Sequence, residues 1–318
     1  MKKRPGNDNF VQVSLTFCHS NFLAMIFDAI KHFKEDPSYN KLVKSDYMIL
    51  EYKCPIDVEK LQVMLEWNFI TFVISGKKDW ITAGKIYSVK DGDAIFLRKG
   101  VYTFRQYFEI EHCVLVFFIH DDFIRNFLRE NSEIVISAMD ETVHEQAFPL
   151  YVDNSLESLF YSIYTYLKMG KEMPQNLVEI KFKELLFNIV LNPKHKKLAQ
   201  LFASLNQTGK ATLDDVMLKN FQYDLQMEEF ARLCGRSLSA FKRDFKNVYH
   251  STPGKWLNDK RLDYAGALLV SSDLNVNEVC YESGFRNSSH FNKVFKDKYQ
   301  LSPKQFRLLR KNALLRQD

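Results

Sequence analysis

The sequence predicts an α+β chain: an N-terminal β-barrel or β-sandwich, a helical segment behind it, and a C-terminal all-α domain of two helix-turn-helix units joined by a linker helix. Three observations carry this. Short apolar runs punctuated by turn residues recur from about residue 47 to 119, the hydrophobic period then lengthens to that of helices, and residues 225 to 310 repeat themselves at an offset of about fifty. With 318 residues, 46% of them hydrophobic, the chain has the length for about two domains and the apolar content for a core in each.

The strand-like runs are FITFVI (69 to 74), KIYSV (85 to 89), AIFL (94 to 97) and CVLVFFI (113 to 119), separated by SGKKD, KDGD and RKG. Even spacing of this kind indicates a sandwich or barrel. Asp91-Gly92-Asp93 is expected to supply the tight turn of a hairpin before AIFL. Phe69, Phe72, Phe96, Phe104 and Trp80 are candidates for lining an apolar pocket, with plain core as the other reading. Residues 47 to 111 contain no His, and His112 stands alone beside Glu111, so no metal-dependent catalysis and no cofactor are expected there.

The cysteines (Cys18, Cys54, Cys113, Cys234, Cys280) are widely spaced without a CxxC pair, and read as small hydrophobes in a reducing cytoplasm, without a zinc site. The stretch NFLAMIFDAI from Asn21 is interrupted by Asp28 and too short to cross a bilayer, so neither signal peptide nor membrane partner is expected. KKR at positions 2 to 4 reads as a frayed terminus.

Beyond Asp121, Leu156, Leu159, Phe160, Ile163 and Leu167 recur at helical spacing, with Asp153 or Asn154 available as N-cap. After a break at Gly170 to Pro174, a second stripe follows at Val178, Phe182, Leu185, Leu186 and Ile189. The two stripes can cover the β-domain, form a dimer interface, or both. NPKHKK (192 to 197) is Pro-containing and basic, which places a boundary there. The expected organisation is a front domain over 1–192 with a helical dimerisation segment at about 150–191, a linker over 193–212, and a back domain over 213–318.

The repeat is specific. Phe241, Phe245, Lys246, Tyr249 and Pro253 have identical counterparts fifty residues on, at Phe291, Phe295, Lys296, Tyr299 and Pro303. Before the Gly-containing stretch the offset is 49, as in Gly235 and Gly284, so the second copy has one extra residue in its turn. Each copy reads as a helix-turn-helix. In the first, Leu225, Phe230, Ala231 and Cys234 face inward from one helix, and Phe241, Phe245 and Tyr249 from the next, which Ser237 caps. Ser239, Lys242, Arg243 and Lys246 then fall on the outer face. In the second, Val276, Val279, Cys280, Phe291, Phe295 and Tyr299 face inward; Ser288, Asn292, Lys293 and Lys296 face outward, and Arg286 projects from the turn. These outward side chains can pair with base edges or phosphates in a major groove. A helix from Pro253 to about Val270, with Trp256, Leu257, Ala265, Leu268 and Leu269 available for both cores, would hold the two units at one separation. Residues 213 to 318 hold 18 Lys and Arg against 13 Asp and Glu, while residues 1 to 212 hold 26 of each, so all excess positive charge lies in the repeated part. A polyanion partner leaves that footprint.

Residues 225 to 310 closely resemble the DNA-binding domain of AraC/XylS-type bacterial transcription regulators. The resemblance rests on Arg261, Ala265, Leu268 and Leu269 in the linker, on SLSAFKRDFK (237 to 246), ESGF (282 to 285), SSHFNKVFK (288 to 296) and SPKQFR (302 to 307). It implies base reading by Ser239, Lys242 and Arg243 in the first unit and by Ser289, Asn292 and Lys293 in the second. Ser237, Lys246, Arg286, Ser288 and Lys296 are then expected at the backbone or turn. It also implies a cupin-like front domain that senses a small-molecule effector or a regulatory protein, a homodimer, an activator working with RNA polymerase, and double-stranded DNA as the partner. The alternative is a cupin-type binding or metabolic protein with a vestigial DNA-binding tail. Two positions depart from the family pattern: His250 and Gln300 stand where it has Gly in left-handed backbone. Lys293 stands where Arg is common and cannot make the planar fork, which points to the first unit as carrying more of the specificity.

Overall fold

The computed structural model describes residues 26–53, 60–82, 85–107, 113–137, 145–169, 174–208 and 213–314. The expectations for residues 2–4, Cys18, Cys54 and the Glu111–His112 pair fall outside them. The front part contains β1 (Phe27–Asp28), α1 (Ala29–Glu35), β2 (Lys41–Val43), β3 (Tyr47–Lys53), β4 (Lys60–Leu65), β5 (Asn68–Ser75), β6 (Lys77–Thr82), β7 (Lys85–Lys90), β8 (Ala94–Leu97), β9 (Gly100–Gln106), β10 (Cys113–Ile119), α2 (Asp121–Glu130), β11 (Ala147–Leu150), α3 (Asn154–Lys168), α4 (Gln175–Val190) and α5 (Lys196–Thr208). The back part contains α6 (Leu213–Asn220), α7 (Met227–Leu233), α8 (Leu238–Tyr249), α9 (Pro253–Ser271), α10 (Val276–Glu282), α11 (Ser288–Tyr299) and α12 (Pro303–Leu314).

The strands form two sheets, ordered β1-β4-β9-β6-β7 and β11-β8-β5-β10-β3-β2, and among the described residues they do not close into a barrel. The unbroken apolar run CVLVFFI explains the layering. Side chains of a strand alternate between faces, so Val114, Val116 and Phe118 of β10 meet the smaller sheet, while Leu115, Phe117 and Ile119 meet a helical layer. A strand covered on both faces has no polar face to show. The helical stripes of α3 and α4 cover that layer, with every predicted stripe residue buried and Asp153 as the N-cap of α3.

Three expectations change. The five aromatics proposed for a pocket do not share one: Phe69, Trp80 and Phe104 lie between the sheets, whereas Phe72 and Phe96 point into the helical layer, against Phe160 at 4.4 Å and Phe202 at 5.4 Å. Phe69 and Phe72 are three positions apart on one strand, which puts them on opposite faces. The Asp91–Asp93 turn closes no hairpin, because β7 belongs to one sheet and β8 to the other. Its groups bond to β5 instead, Gly92 N–H to Val73 O and Val73 N–H to Asp93 O, both at 2.9 Å, with Gly92 in left-handed backbone (φ 79°). Finally, most of the segment expected as a linker is α5, whose Leu198, Leu201 and Phe202 enter the front domain's helical core. The basic NPKHKK surface hid this stripe: buried His195 accepts the Tyr151 N–H through Nε2 at 2.9 Å and ties the turn to β11.

The outer face of the smaller sheet meets the back part directly. Met64 of β4 and Val101 of β9 join Leu213, Val216 and Met217 of α6 in one apolar core. The buried Asn220 amide clips the seam: its Oδ1 accepts the Val101 N–H at 2.9 Å, and its Nδ2 donates to Val216 O at 2.7 Å. Ion pairs flank it. Arg98 reaches Asp215 at 2.9 Å and Lys219 lies 3.2 Å from the same carboxylate; on the other side Arg232 of α7 pairs with Glu66 at 2.8 Å and Asp28 at 3.3 Å. Burial, with the Asp28 carboxylate adding to it, pushes Glu66 above its ordinary pKa.

Two outcomes follow for the full chain. Asn220→Ala leaves the buried Val101 N–H without an acceptor and should cost about 1–3 kcal/mol in denaturant unfolding, with faster amide exchange in α6 and β9; unchanged exchange there would contradict the clip. Burial, reinforced by Arg98, lowers the Lys219 pKa from 10.5 to about 8. The unfolded lysine keeps its proton to higher pH than the folded one, so this group makes stability rise with pH above about 8. Lys219→Met should flatten that rise between pH 7 and 9.5 without loss of stability at pH 7; a slope equal to that of the unsubstituted protein would refute the assignment.

Candidate nucleic-acid interface

In the first unit, α7 starts with the Glu229 carboxylate accepting the Gln226 N–H at 2.6 Å and ends in a turn where Gly235 takes φ 63°. Ser237 caps α8, its Oγ accepting the Ala240 N–H at 3.3 Å. Phe241 and Phe245 of α8 are fully buried with Phe230, Ala231 and Cys234. The opposite face exposes Ser239, Lys242, Arg243 and Lys246.

The second unit copies this with the longer turn that the offset indicated. Gly284 takes φ 89°, and Asn287 caps α11 by accepting the Ser289 and His290 N–H groups at 2.8 and 3.0 Å. Phe291 and Phe295 are fully buried with Val279 and Cys280. Ser289, Asn292, Lys293 and Lys296 are exposed and Ser288 is half-buried. The burial patterns of α8 and α11 match position for position from Phe241 and Phe291 onward, so the two outer faces present equivalent surfaces.

Two of the site residues already have partners. Arg243, 70% exposed, lies against the neighbouring Asp244 at 3.2 Å, and that carboxylate also takes Arg236 at 3.2 Å. Arg286, 62% exposed, is ion-paired with Asp224 from the loop between α6 and α7. Burial pushes the thiols of Cys234 and Cys280 up to about 11, which suits packing rather than reactivity. Among the described residues no cluster of His, Cys, Asp or Glu could hold a metal ion.

The linker helix α9 joins the units. Trp256 and Leu257 enter the first core, and Leu262, Ala265, Leu268 and Leu269 the second. Arg261, between these groups, turns toward the loop after α6, donating from Nε to Phe221 O and from Nη2 to Tyr223 O, each at 2.7 Å. A cleft of about 510 Å³ lies between the units, lined in part by Asp224, Arg261, Arg286 and His290. Asp224, Asn287 and the contact role of Arg261 escaped sequence reasoning: only the tertiary arrangement brings the loop at 221–224 against the second unit, whereas the Asn287 cap is a local pattern that was legible from an Asn placed just before the helix.

Both α8 and α11 end in left-handed backbone without glycine: His250 has φ 50° and Gln300 φ 56°. Their N–H groups bond to Lys246 O at 3.0 Å and Lys296 O at 2.8 Å. The geometry that usually calls for Gly is therefore kept and the strain accepted.

The chain is similar to known proteins in both its front and back parts. A family described as the ExsA N-terminal regulatory domain matches residues 68–201, and a helix-turn-helix domain family matches residues 230–308. The thermoregulatory protein LcrF of Yersinia pestis is 24% identical over 239 residues, covering 74% of this chain and 87% of LcrF. The HTH-type transcriptional regulator ExsA of Pseudomonas aeruginosa is 28% identical over 136 residues, 43% of this chain and 49% of ExsA. Among solved structures, apo ToxT of Vibrio cholerae aligns over 83% of this chain and 98% of its own at 12% identity, with a TM-score of 0.40.

The caps set a stability prediction. His250→Gly and Gln300→Gly should each stabilise the full chain by up to about 1 kcal/mol, the left-handed strain removed less the added freedom of the unfolded chain. Gly235→Ala, with nothing within 4 Å of the added methyl, should cost roughly 1–2 kcal/mol. Gly284→Ala should cost more, because its methyl would come within 2.7 Å of Gln222 O. Thermal unfolding checks the order, and equal losses at the two glycines would contradict the close approach.

Proposed function

The chain belongs to the AraC/XylS family of DNA-binding transcription regulators, with a regulatory domain in front, and we propose that it is an activator reading two adjacent major grooves of one duplex. The observation that supports this is the pair of equivalent exposed faces on α8 and α11, held on one linker helix. In this reading Ser239, Lys242 and Arg243, and Ser289, Asn292 and Lys293, meet base edges. Lys246, Lys296 and Ser288 hold the phosphates, Arg286 orders the second turn through its pair with Asp224, and Ser237 orders the first turn of its helix. Successive major-groove faces lie about 34 Å apart, and a helix of 19 residues is about 28 Å long, so a spacer of this kind suits tandem reading.

We further propose that an effector or a regulatory protein acts on the front domain, over residues up to about 208, and that a second copy docks on α3 and α4, where Tyr161, Ile180 and, just past the end of α4, Leu191 are exposed. RNA polymerase would be the partner in activation, and the cytoplasm the site of action. No helix among the described residues is long and apolar enough to cross a membrane. The matched relatives are regulators, which favours this reading over a metabolic protein with a vestigial tail.

Lys242→Ala or Arg243→Ala should cost about 1–3 kcal/mol on the preferred duplex and relax preference at one base position. Lys296→Ala should weaken all duplexes alike and reduce the slope of log K against log salt by about 0.9. Titrations of the full chain against a selected and a random duplex over a salt series check both; equal losses on the two duplexes for Lys242→Ala and Arg243→Ala would exclude base reading by those residues.

A further inference from the structure

The two helix-turn-helix units share no apolar core. The first is built around Phe230, Phe241 and Phe245, the second around Val279, Phe291 and Phe295, and α9 passes from one cluster to the other. A single helix spanning two separate cores can bend and twist, and a small rotation at its middle is a large displacement at the far recognition helix. Something else must brace the angle.

The brace is a three-way junction on one side of α9. Its centre is the loop at 221–224, which leaves α6 with carbonyls that no helix bond satisfies. Arg261 takes two of them, Phe221 O and Tyr223 O, with the fixed fork of one guanidinium. The Phe221 ring meets Tyr264 of α9 edge-on at 5.7 Å. From the second unit, Gly284 lies so close that any Cβ would stand 2.7 Å from Gln222 O and 2.8 Å from Arg261 Nε. Beside it, Arg286 is ion-paired with Asp224, the next residue of the same loop. Linker, first unit and second unit are thus keyed together through four consecutive residues of one loop.

We infer that this junction determines the operator spacing the protein accepts: Arg261, Gly284 and the Asp224–Arg286 pair are positioning residues that set the distance and rotation between the two recognition helices. The inference rests on the tandem reading proposed above. Inserting one base pair between half-sites moves the second by about 3.4 Å along the axis and turns it around the duplex. A braced protein loses its second set of contacts on such a site; a loosened one follows them. The junction therefore converts spacing into affinity without touching a base.

The test uses the full chain and duplexes obtained from random double-stranded DNA by in vitro selection, with the spacing between the two selected half-motifs then changed by one and two base pairs either way. The unsubstituted protein should lose roughly tenfold or more per displaced site, the worth of lost base contacts. Arg261→Met should flatten that profile to within about threefold while keeping the same base preferences in each half-motif. Arg261→Lys, which retains the charge without the fork, and Asp224→Asn, which retains the Arg261 grip, should fall between, and they carry the test if Arg261→Met does not fold. A steep profile unchanged in these variants, with affinity lowered equally at every spacing, would show a merely structural role and overturn the inference. If the unsubstituted protein itself bound all spacings equally, the junction would not brace the units and the inference would fail; if selection returned a single half-motif, the tandem reading would fail instead.

Discussion

The Arg261 guanidinium, closed on two backbone carbonyls of the loop at 221–224, is the contact on which the back half of the molecule depends. Each helix-turn-helix is stable in its own terms, with buried phenylalanines, capped helices and a left-handed glycine turn. None of that decides where the second unit stands relative to the first. The relation is decided where polar groups that must be satisfied lie next to a residue that must have no side chain. The half-buried fork and the Gly284 approach favour one arrangement, because moving either unit would pull Arg261 off Phe221 O and Tyr223 O or press Gly284 against Gln222 O. Packing of greasy surface alone would be more forgiving, since it is not directional.

The same logic joins the front domain to the back. Met64 and Val101 complete the apolar core of the first unit, and the Asn220 amide orients the contact by bonding a β9 backbone group that would otherwise be a bare strand N–H. The ion pairs around it are partly exposed and contribute less than their number suggests. They do place opposite charges at fixed points: Arg98 of the front part opposite Asp215, and Arg232 of the back part opposite Glu66 and Asp28. β4 and β9 of the smaller sheet thus touch α6 and α7 directly, so a displacement of the smaller sheet would have to be taken up at that contact. The sandwich interior offers little slack to absorb it, with Leu65, Tyr102 and Phe118 among side chains that exclude solvent entirely.

Where the chain departs from local preference, it does so at the ends of α8 and α11. His250 and Gln300 hold left-handed backbone at a cost of about 1 kcal/mol each. Gln300 recovers part of it, since its Nε2 donates to Asp297 O at 2.8 Å. Tyr249 and Tyr299, just before the two caps, carry hydroxyls bonded to Asp214 and Asp263, so each cap is anchored from the neighbouring residue.

The amino-acid sequence by itself determined the elements that depend on near neighbours: the stripes of α3 and α4, the doubled helix-turn-helix with its one-residue-longer second turn, the Ser237 cap, and the exposed faces of α8 and α11. All of these follow from residue spacing within one helix or turn, and they carry the family membership with them. The turn at Asp91–Asp93 that passes between sheets and the helix α5 beneath a basic surface stretch were decided only by tertiary structure. So were the Asn220 clip and the Arg261 junction. In each case the deciding partner lies far away along the chain, and a local pattern records that a group must be buried or bonded without recording by what.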